Sequence, residues 1–228
     1  MCFPYAGGSA TFFYALSERL SARFDVVAVQ YPGRQDRHRE PCLTEITELS
    51  DGIASALPEE LGAPRGPLAF FGHSMGALVA FETARRIEAG SWARPEVLFA
   101  SGRRAPSRTT DERLHLLPDQ ELVEEVLHLG GTDLEAADDP ELMRLVLPVI
   151  RADFRAVETY RPNAGVRVGC PVVAMIGELD NHVTCDEATA WRHHTDGGFE
   201  LRVLPGGHFY LVDQCDQVAQ AVTRQLTP

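Results

Sequence analysis

The chain has 228 residues, of which 44% are hydrophobic and 24% are charged, and its formal net charge is -12. This length and composition predict one globular domain with a single buried core. The negative charge disfavours nucleic acid and anionic membranes as partners, because binding either of them needs a basic surface. Any acidic partner would therefore have to meet a local group of basic residues.

Short apolar segments alternate with helical patterns along most of the chain. Five segments rich in Val, Phe, Leu or Ile end at glycine, as buried parallel strands do: residues 25–33, 67–72, 95–102, 170–177 and 199–207. Five others carry apolar residues at helical spacing: residues 11–21, 44–57, 75–89, 186–194 and 214–225. This alternation predicts an α/β fold, with a mostly parallel central sheet flanked by helices.

Residues 107–160 break the alternation, because they contain only helical patterns such as LPDQELVEEVLHLGG and DPELMRLVLPVIRADFRAVETY. The insertion begins just after the carboxyl end of a predicted strand, which is where ligand-binding loops of such sheets lie. We expect one domain spanning 1–228, in which 107–160 form a helical lid insertion. The alternative is a rigid layer of helices packed on the sheet.

The segment LAFFGHSMGALVAFETARR places Ser74 between Gly72 and Gly76 in the pattern G-x-S-x-G. The pattern alone is weak, but here an apolar strand enters the turn and a helical pattern leaves it. This is the setting of a nucleophile elbow, a strained turn that presents a serine hydroxyl above a sheet. Ser74 is therefore the predicted nucleophile, with an ordinary turn serine as the alternative.

A serine hydroxyl needs a base to take its proton, and a histidine late in the chain can supply one. His208 follows the last predicted strand, in GGHFYL, and is the predicted base, while His182 is the alternative. His73 flanks the nucleophile and is expected to help shape the elbow. Four further histidines are expected to be solvated surface residues: His115, His128, His193 and His194.

The base in turn needs a carboxylate that fixes its tautomer and stabilises its charged form. The segment MIGELDNHV ends a predicted strand and offers Glu178 and Asp180. Asp180 is the predicted acid, because it lies further into the loop at the carboxyl end of the strand. The order Ser74, Asp180, His208 is the order found in α/β-hydrolases.

An oxyanion hole would complete this site, since the tetrahedral intermediate needs backbone N–H donors. One predicted donor is the amide of Met75, directly after the nucleophile. The other is the amide of Ala6, in the glycine-rich segment CFPYAGGSATFF, with the amide of Tyr5 as the alternative.

Seven motifs together are more specific than the elbow alone: FPYAGGSATFF, YPGRQDR, FFGHSMGALVAFE, SGRRAP, LPDQELVEEVLHLGGT, RADFRAVETY and PGGHFYL. Through them, nearly the whole chain resembles the type II thioesterases that accompany polyketide synthases and nonribosomal peptide synthetases. The resemblance implies the α/β-hydrolase fold and the catalytic residues Ser74, Asp180 and His208. It also implies a mobile lid over the acyl chamber. It departs at the start, where the chain begins almost at the glycine-rich loop and the opening strand would be shortened.

The function implied by the resemblance is removal of stalled or wrong acyl groups from the phosphopantetheine arm of acyl or peptidyl carrier proteins. A thiolate leaves readily, so the chemistry needs a nucleophile and an oxyanion hole, and no metal or other cofactor. The alternatives are a soluble carboxylesterase or lipase, a noncatalytic α/β-hydrolase binding scaffold, and a synthase-terminal thioesterase domain cut from its parent.

Cysteine usage and hydropathy bear on the compartment. Five cysteines lie scattered without the close pairs of a zinc site, so we expect reduced thiols. No charged and apolar leader precedes the first motif, and no apolar run approaches the roughly 20 residues that cross a bilayer. We expect a cytoplasmic monomer without membrane contact.

Two groups of arginines follow predicted strands and could dock an acidic carrier protein. The alternative is that they are solvated or brace the lid through ion pairs. The two groups are Arg34, Arg37 and Arg39, and Arg103, Arg104 and Arg108.

Overall fold

The computed structural model describes residues 1–63, 66–90, 92–129 and 140–227. In this part of the chain, five parallel strands form one sheet in sequence order: β1 (Cys2–Phe3), β2 (Ala69–His73), β3 (Val97–Ser101), β4 (Val172–Gly177) and β5 (Phe199–Leu204). The parallel sheet predicted from the sequence is confirmed.

The helices flank this sheet and fill the connections between its strands. Their bounds are α1 (Tyr14–Leu20), α2 (Ile46–Leu61), α3 (Met75–Ala89), α4 (Asp119–Leu129), α5 (Pro140–Thr159), α6 (Cys185–Thr189), α7 (Tyr210–Asp213) and α8 (Cys215–Leu226). Four short 3₁₀ turns are also present in the described residues: Ala10–Phe13, Gln35–Arg37, Leu114–Leu116 and Ala190–His194.

The central strands are buried on both faces, which explains their continuous apolar sequences. Successive residues point to opposite faces, so Phe70 joins the core beneath α2 and α3 whereas Phe71 joins the core beneath α1 and α8. The first of these cores contains Trp191, and the second contains Leu16 and Val218. The carboxyl ends of the strands therefore meet at one edge, where the loops carry the predicted site residues.

The strand predicted at residues 25–33 is wrong. Only Ala28 pairs with the sheet, in an isolated parallel bridge to Cys2, and hydrogen bonds from Cys2 N to Val27 O (2.8 Å) and from Val29 N to Cys2 O (2.9 Å) flank it. The pairing stops because β1 is only two residues long and Pro4 follows it, and proline has no N–H to donate.

Within residues 107–160, α4 and α5 have a small apolar core of their own. Leu122, Val126 and Ile150 are buried there, and Phe154 packs against them. Leu145 of α5, in contrast, is 71% exposed. The segment between the two helices, 130–139, lies outside the described residues, as do the side chains of Leu129 and Leu142.

Among the described helices, none has the length and apolar character of a bilayer span.

Candidate active site

Ser74 occupies a strained turn between the last residue of β2 and the first of α3. Its φ of 52° and ψ of -116° are unusual for a residue with a side chain. The flanking glycines permit this turn: a Cβ on Gly72 would lie 2.2 Å from Gly76 O, and one on Gly76 would lie 1.9 Å from Phe3 O. Both clashes are with backbone, so the elbow requires glycine at these two positions.

His208 and Asp180 form a hydrogen-bonded pair beyond the ends of β5 and β4. His208 Nδ1 lies 2.9 Å from Asp180 Oδ2, and the Asp180 side chain is fully buried. The second oxygen, Oδ1, accepts a hydrogen bond from the His182 backbone N–H at 2.8 Å. Both carboxylate oxygens are thus occupied, which holds the imidazole in one orientation with Nε2 as its free nitrogen.

The alternatives for base and acid lie close by but differ in their contacts. The His182 ring packs edge-on against His208, with ring centroids 5.5 Å apart, and only its backbone reaches Asp180. Burial, followed by the charge of His208, lowers the pKa of His182. Glu178 is exposed, and its backbone N–H donates to Leu204 O at 2.8 Å. The geometry therefore favours His208 and Asp180.

Ser74, His208 and Ala6 line one cavity of about 190 Å³, which Val126 of α4 and Phe154 of α5 also border. Among the described hydrogen bonds, none joins the Ser74 hydroxyl to His208. Such bonds are often long in the absence of substrate and tighten when it binds. A larger cavity, of about 610 Å³, lies near the amino ends of β1 and β2 and contains none of these residues.

Of the two predicted oxyanion donors, Ala6 lines this cavity, and Met75 directly follows Ser74, which also lines it. Met75 begins α3, where the first N–H groups of a helix have no partner within it. Neither the Met75 amide nor the Ala6 amide donates a hydrogen bond to any described residue. Both amides are thus available to an oxygen atom above Ser74, and the partial positive charge at the start of α3 favours a negative one.

His73 is fully buried beneath the predicted base, with ring centroids 5.3 Å apart. Its Nδ1 is 2.9 Å from Ser101 Oγ, and that oxygen is 2.6 Å from the Tyr210 hydroxyl. Burial, followed by the charge of His208, lowers the pKa of His73 well below its ordinary value. His73 is therefore neutral at physiological pH.

A buried carboxylate that the sequence analysis missed holds the glycine-rich loop. Asp153 of α5 accepts a hydrogen bond from the Gly7 N–H at 2.7 Å and two from Arg34, at 2.5 Å from Nη1 and 2.9 Å from Nη2. The two charged side chains are 0% and 6% exposed. This ion pair links α5 to the loop that carries Ala6. Both residues stand in motifs of the sequence, RADFRAVETY and YPGRQDR, but nothing local indicates that they meet.

The arginines considered for carrier docking differ in burial and in their partners. Arg34 is buried and pairs with Asp153 of α5, so the alternative, that these arginines brace the insertion through ion pairs, is confirmed for Arg34. Arg104 is also buried, and its Nη2 donates to His182 O at 2.5 Å. Arg37 pairs with Glu40 through two hydrogen bonds. Two remain exposed: Arg39 and Arg108.

Two of the four histidines expected on the surface are not solvated. His194 is buried, with Nδ1 3.0 Å from Val166 O and Nε2 2.9 Å from Ser107 Oγ. His115 pairs with the buried carboxylate of Glu158. His128 and His193 are exposed, as expected. Among the described residues, no cluster of His, Cys, Asp or Glu side chains could hold a metal ion.

Comparison with known proteins decides the family. The model of the thioesterase domain family matches residues 1–226. The chain belongs to the thioesterase domain family. The relative PikA5, a thioesterase from Streptomyces venezuelae, is 46% identical to this thioesterase over 226 residues, which are 99% of this chain and 80% of PikA5.

Two solved structures resemble the thioesterase over nearly its whole length. BorB, the type II thioesterase of the borrelidin biosynthetic cluster, is 46% identical with a TM-score of 0.89, covering 99% of this chain and 91% of BorB. RedJ, a thioesterase of the prodiginine pathway of Streptomyces coelicolor, is 38% identical with a TM-score of 0.91. The match covers 99% of this chain and 84% of RedJ. The α/β-hydrolase fold and the resemblance to type II thioesterases predicted from the sequence are confirmed. The protein is a thioesterase.

Proposed function

We propose that this thioesterase removes acyl groups from the phosphopantetheine arm of acyl or peptidyl carrier proteins, clearing stalled or wrong units from polyketide or nonribosomal peptide synthases. It does so as a cytoplasmic monomer. Ser74 is the nucleophile, His208 the general base, Asp180 the acid that orients it, and Met75 and Ala6 supply the oxyanion hole. The observation that carries the proposal is the hydrogen bond between Asp180 and His208, because His208 lines the same cavity as the strained Ser74.

In the first half-reaction, the Ser74 hydroxyl attacks the thioester carbonyl while His208 Nε2 takes its proton. The carbonyl oxygen becomes an oxyanion between the Met75 and Ala6 amides. Collapse of this intermediate re-forms the C=O bond and breaks the C–S bond, and the thiolate receives the proton from His208. An acyl ester of Ser74 and a free thiol result.

In the second half-reaction, His208 takes a proton from water, and the resulting hydroxide attacks the acyl-Ser74 ester. The same two amides hold the second oxyanion. The C–O bond to Ser74 then breaks, and His208 returns the proton to the serine oxygen. The carboxylic acid leaves, and the enzyme regains its starting state without a metal or other cofactor.

The lid proposal rests on where α4 and α5 lie. Val126 and Phe154 place both helices at the wall of the cavity that contains Ser74. Leu122, Val126 and Ile150 form a core apart from the two cores of the sheet, whereas Ala156 near the end of α5 belongs to the core beneath α2 and α3. The lid motion that admits the phosphopantetheine arm therefore involves α4 and the first part of α5, while the end of α5 stays anchored to the sheet.

The test compares substitutions at the proposed residues with matched controls, using an acyl-carrier protein as substrate. Ser74→Ala should lower kcat by several orders of magnitude, because only binding and oxyanion stabilisation remain. Asp180→Asn should cost far more activity than Glu178→Gln, and His208→Gln far more than His182→Gln. Near-normal turnover by Ser74→Ala, or the reverse ranking in either pair, would refute the assignment.

The substrate class needs a separate comparison. Wild-type enzyme should turn over the acyl-carrier protein with a higher kcat/KM than an oxygen ester of the same acyl group, such as the ethyl ester. Faster hydrolysis of the oxygen ester would support a carboxylesterase and remove the carrier protein from the proposal.

A further inference from the structure

Arg103 lies close to the proposed catalytic residues, but the proposed mechanism gives it no role. It follows β3 after Gly102, whose φ is 58°. A Cβ on Gly102 would lie 2.8 Å from the His73 ring and 3.3 Å from the His208 ring, so the chain passes directly over the proposed base. Arg103 then lines the cavity that contains Ser74.

The backbone at Arg103 is fixed while its guanidinium is left without a partner. The indole N–H of the buried Trp191 donates to Arg103 O at 2.9 Å. The side chain, in contrast, makes no hydrogen bond or ion pair with any described residue, and its Nε is shielded from solvent. The neighbouring Arg104 differs, since its Nη2 binds His182 O at 2.5 Å.

Three carboxylates lie near enough to affect Arg103, but each is engaged elsewhere. Their charges act on its pKa without forming an ion pair with it. Glu158 accepts hydrogen bonds from the backbone N–H groups of Leu114 and His115, Glu187 from Thr184, and Glu112 from the Thr110 hydroxyl. Arg103 therefore has no ion-pair partner among the described residues.

Arg103 keeps its charge in this setting. Burial, followed by the charge of Arg104, lowers its pKa to about 10, so the group remains protonated at neutral pH. A partly dehydrated guanidinium with open donors binds carboxylates and phosphates strongly, because its planar fork matches two of their oxygens.

We infer that Arg103 forms a subsite for an anionic group of the substrate, a carboxylate or a phosphate, that is bound while the thioester faces Ser74. The inference rests on the proposed function and deepens it. The anion has two possible sources, the terminal carboxylate of a dicarboxylic acyl group or the phosphate of the phosphopantetheine arm. In both cases Arg103 makes the enzyme prefer the charged substrate over a neutral one of the same size.

Two pairs of small substrates separate these sources. Succinyl- and butyryl-N-acetylcysteamine have acyl chains of equal length, and only the succinyl group carries a carboxylate. Butyryl-phosphopantetheine and butyryl-pantetheine differ only in the phosphate. For each pair, the ratio of kcat/KM for the charged to the neutral substrate is measured in wild type, Arg103→Met and the control Arg108→Met, which removes an exposed arginine from the same loop.

Arg103→Met should lower one of the two ratios by about tenfold or more, the usual worth of a hydrogen bond to a charged group, while Arg108→Met should keep both at the wild-type value. A fall in the succinyl ratio assigns the subsite to an acyl carboxylate, and a fall in the phosphopantetheine ratio assigns it to the phosphate. Two unchanged ratios, or equal falls in both variants, would overturn the inference.

Arg103→Lys covers the case in which Arg103→Met does not fold. It keeps the charge but loses the planar fork, so the affected ratio should fall by a smaller factor, and an unchanged ratio in this variant would again overturn the inference. Failure of the proposed function would look different. The wild-type enzyme would then not hydrolyse the neutral thioesters, or the Ser74→Ala variant would hydrolyse them as fast as wild type.

Discussion

Replacing Asp153 by asparagine should destabilise the protein and impair the proposed oxyanion hole together. The carboxylate is 0% exposed and accepts three hydrogen bonds, from Gly7 N and from Arg34 Nη1 and Nη2. Asparagine keeps the shape but loses the charge, which leaves the Arg34 cation buried without its counter-ion. Breaking a buried ion pair in this way costs about 3–5 kcal/mol of unfolding free energy.

The activity should fall as well, because the Gly7 N–H loses a charged acceptor and Ala6 is the preceding residue. Displacement of one oxyanion donor lowers kcat by roughly 10²–10³-fold. A double variant, Asp153→Leu with Arg34→Met, should regain much of the stability, since apolar residues replace such pairs at little cost. It should not regain kcat, which separates positioning of the loop from general stability.

Urea unfolding followed by far-UV circular dichroism gives the free energies, and turnover of an acyl thioester gives kcat. Asp119→Asn is the matched control, because it breaks an ion pair with Arg151 of α5 in which Asp119 is 73% exposed. Such surface pairs contribute about 0–1 kcal/mol. A loss for Asp153→Asn no larger than that of Asp119→Asn, or full kcat in the double variant, would refute this reasoning.

Two further predictions concern pH and the lid. Because the pKa of His73 is lowered in the folded protein, the unfolded chain binds a proton at this residue more readily. The free energy of unfolding should therefore decrease as the pH falls below about 6.5, by up to about 1.4 kcal/mol per pH unit. His73→Asn should flatten the fall in unfolding free energy between pH 7 and 5, whereas His193→Asn, which alters an exposed ring, should not; equal slopes in all three proteins would contradict this. Amide hydrogen exchange should be faster in α4 and α5 than in β2 to β4 and should slow when an acyl analogue is trapped on Ser74, and uniformly slow exchange that acylation leaves unchanged would indicate a rigid cap.

Local sequence patterns were sufficient to predict the structure where one short segment determines it. Gly72 and Gly76 mark the elbow because their Cβ positions are filled by neighbouring backbone, so the pattern and the geometry have the same cause. The strands of the sheet centre were predicted because burial on both faces requires an unbroken apolar run. Asp180 and His208 followed from the rule that loops at the carboxyl ends of parallel strands meet.

The features that the sequence did not reveal depend on partners far along the chain. Asp153 and Arg34 are 119 positions apart, and neither has a neighbour that predicts their pairing. His194 lies in a polar stretch, WRHH, but the fold brings Val166 O and Ser107 Oγ to its two ring nitrogens. Residues 25–33 have the composition of a strand, yet β1 is too short to pair with more than Ala28.

The hydrogen bond from the Trp191 indole N–H to Arg103 O also makes Trp191 a fluorescent reporter of the loop that carries Arg103. The chain has two tryptophans, and the other, Trp92, is partly exposed and donates to Gly62 O, away from the site. After Trp92→Phe, all indole fluorescence comes from a buried ring whose N–H holds the loop that crosses over His208. Its emission wavelength and lifetime would then follow the position of that loop during a single turnover, without an attached dye.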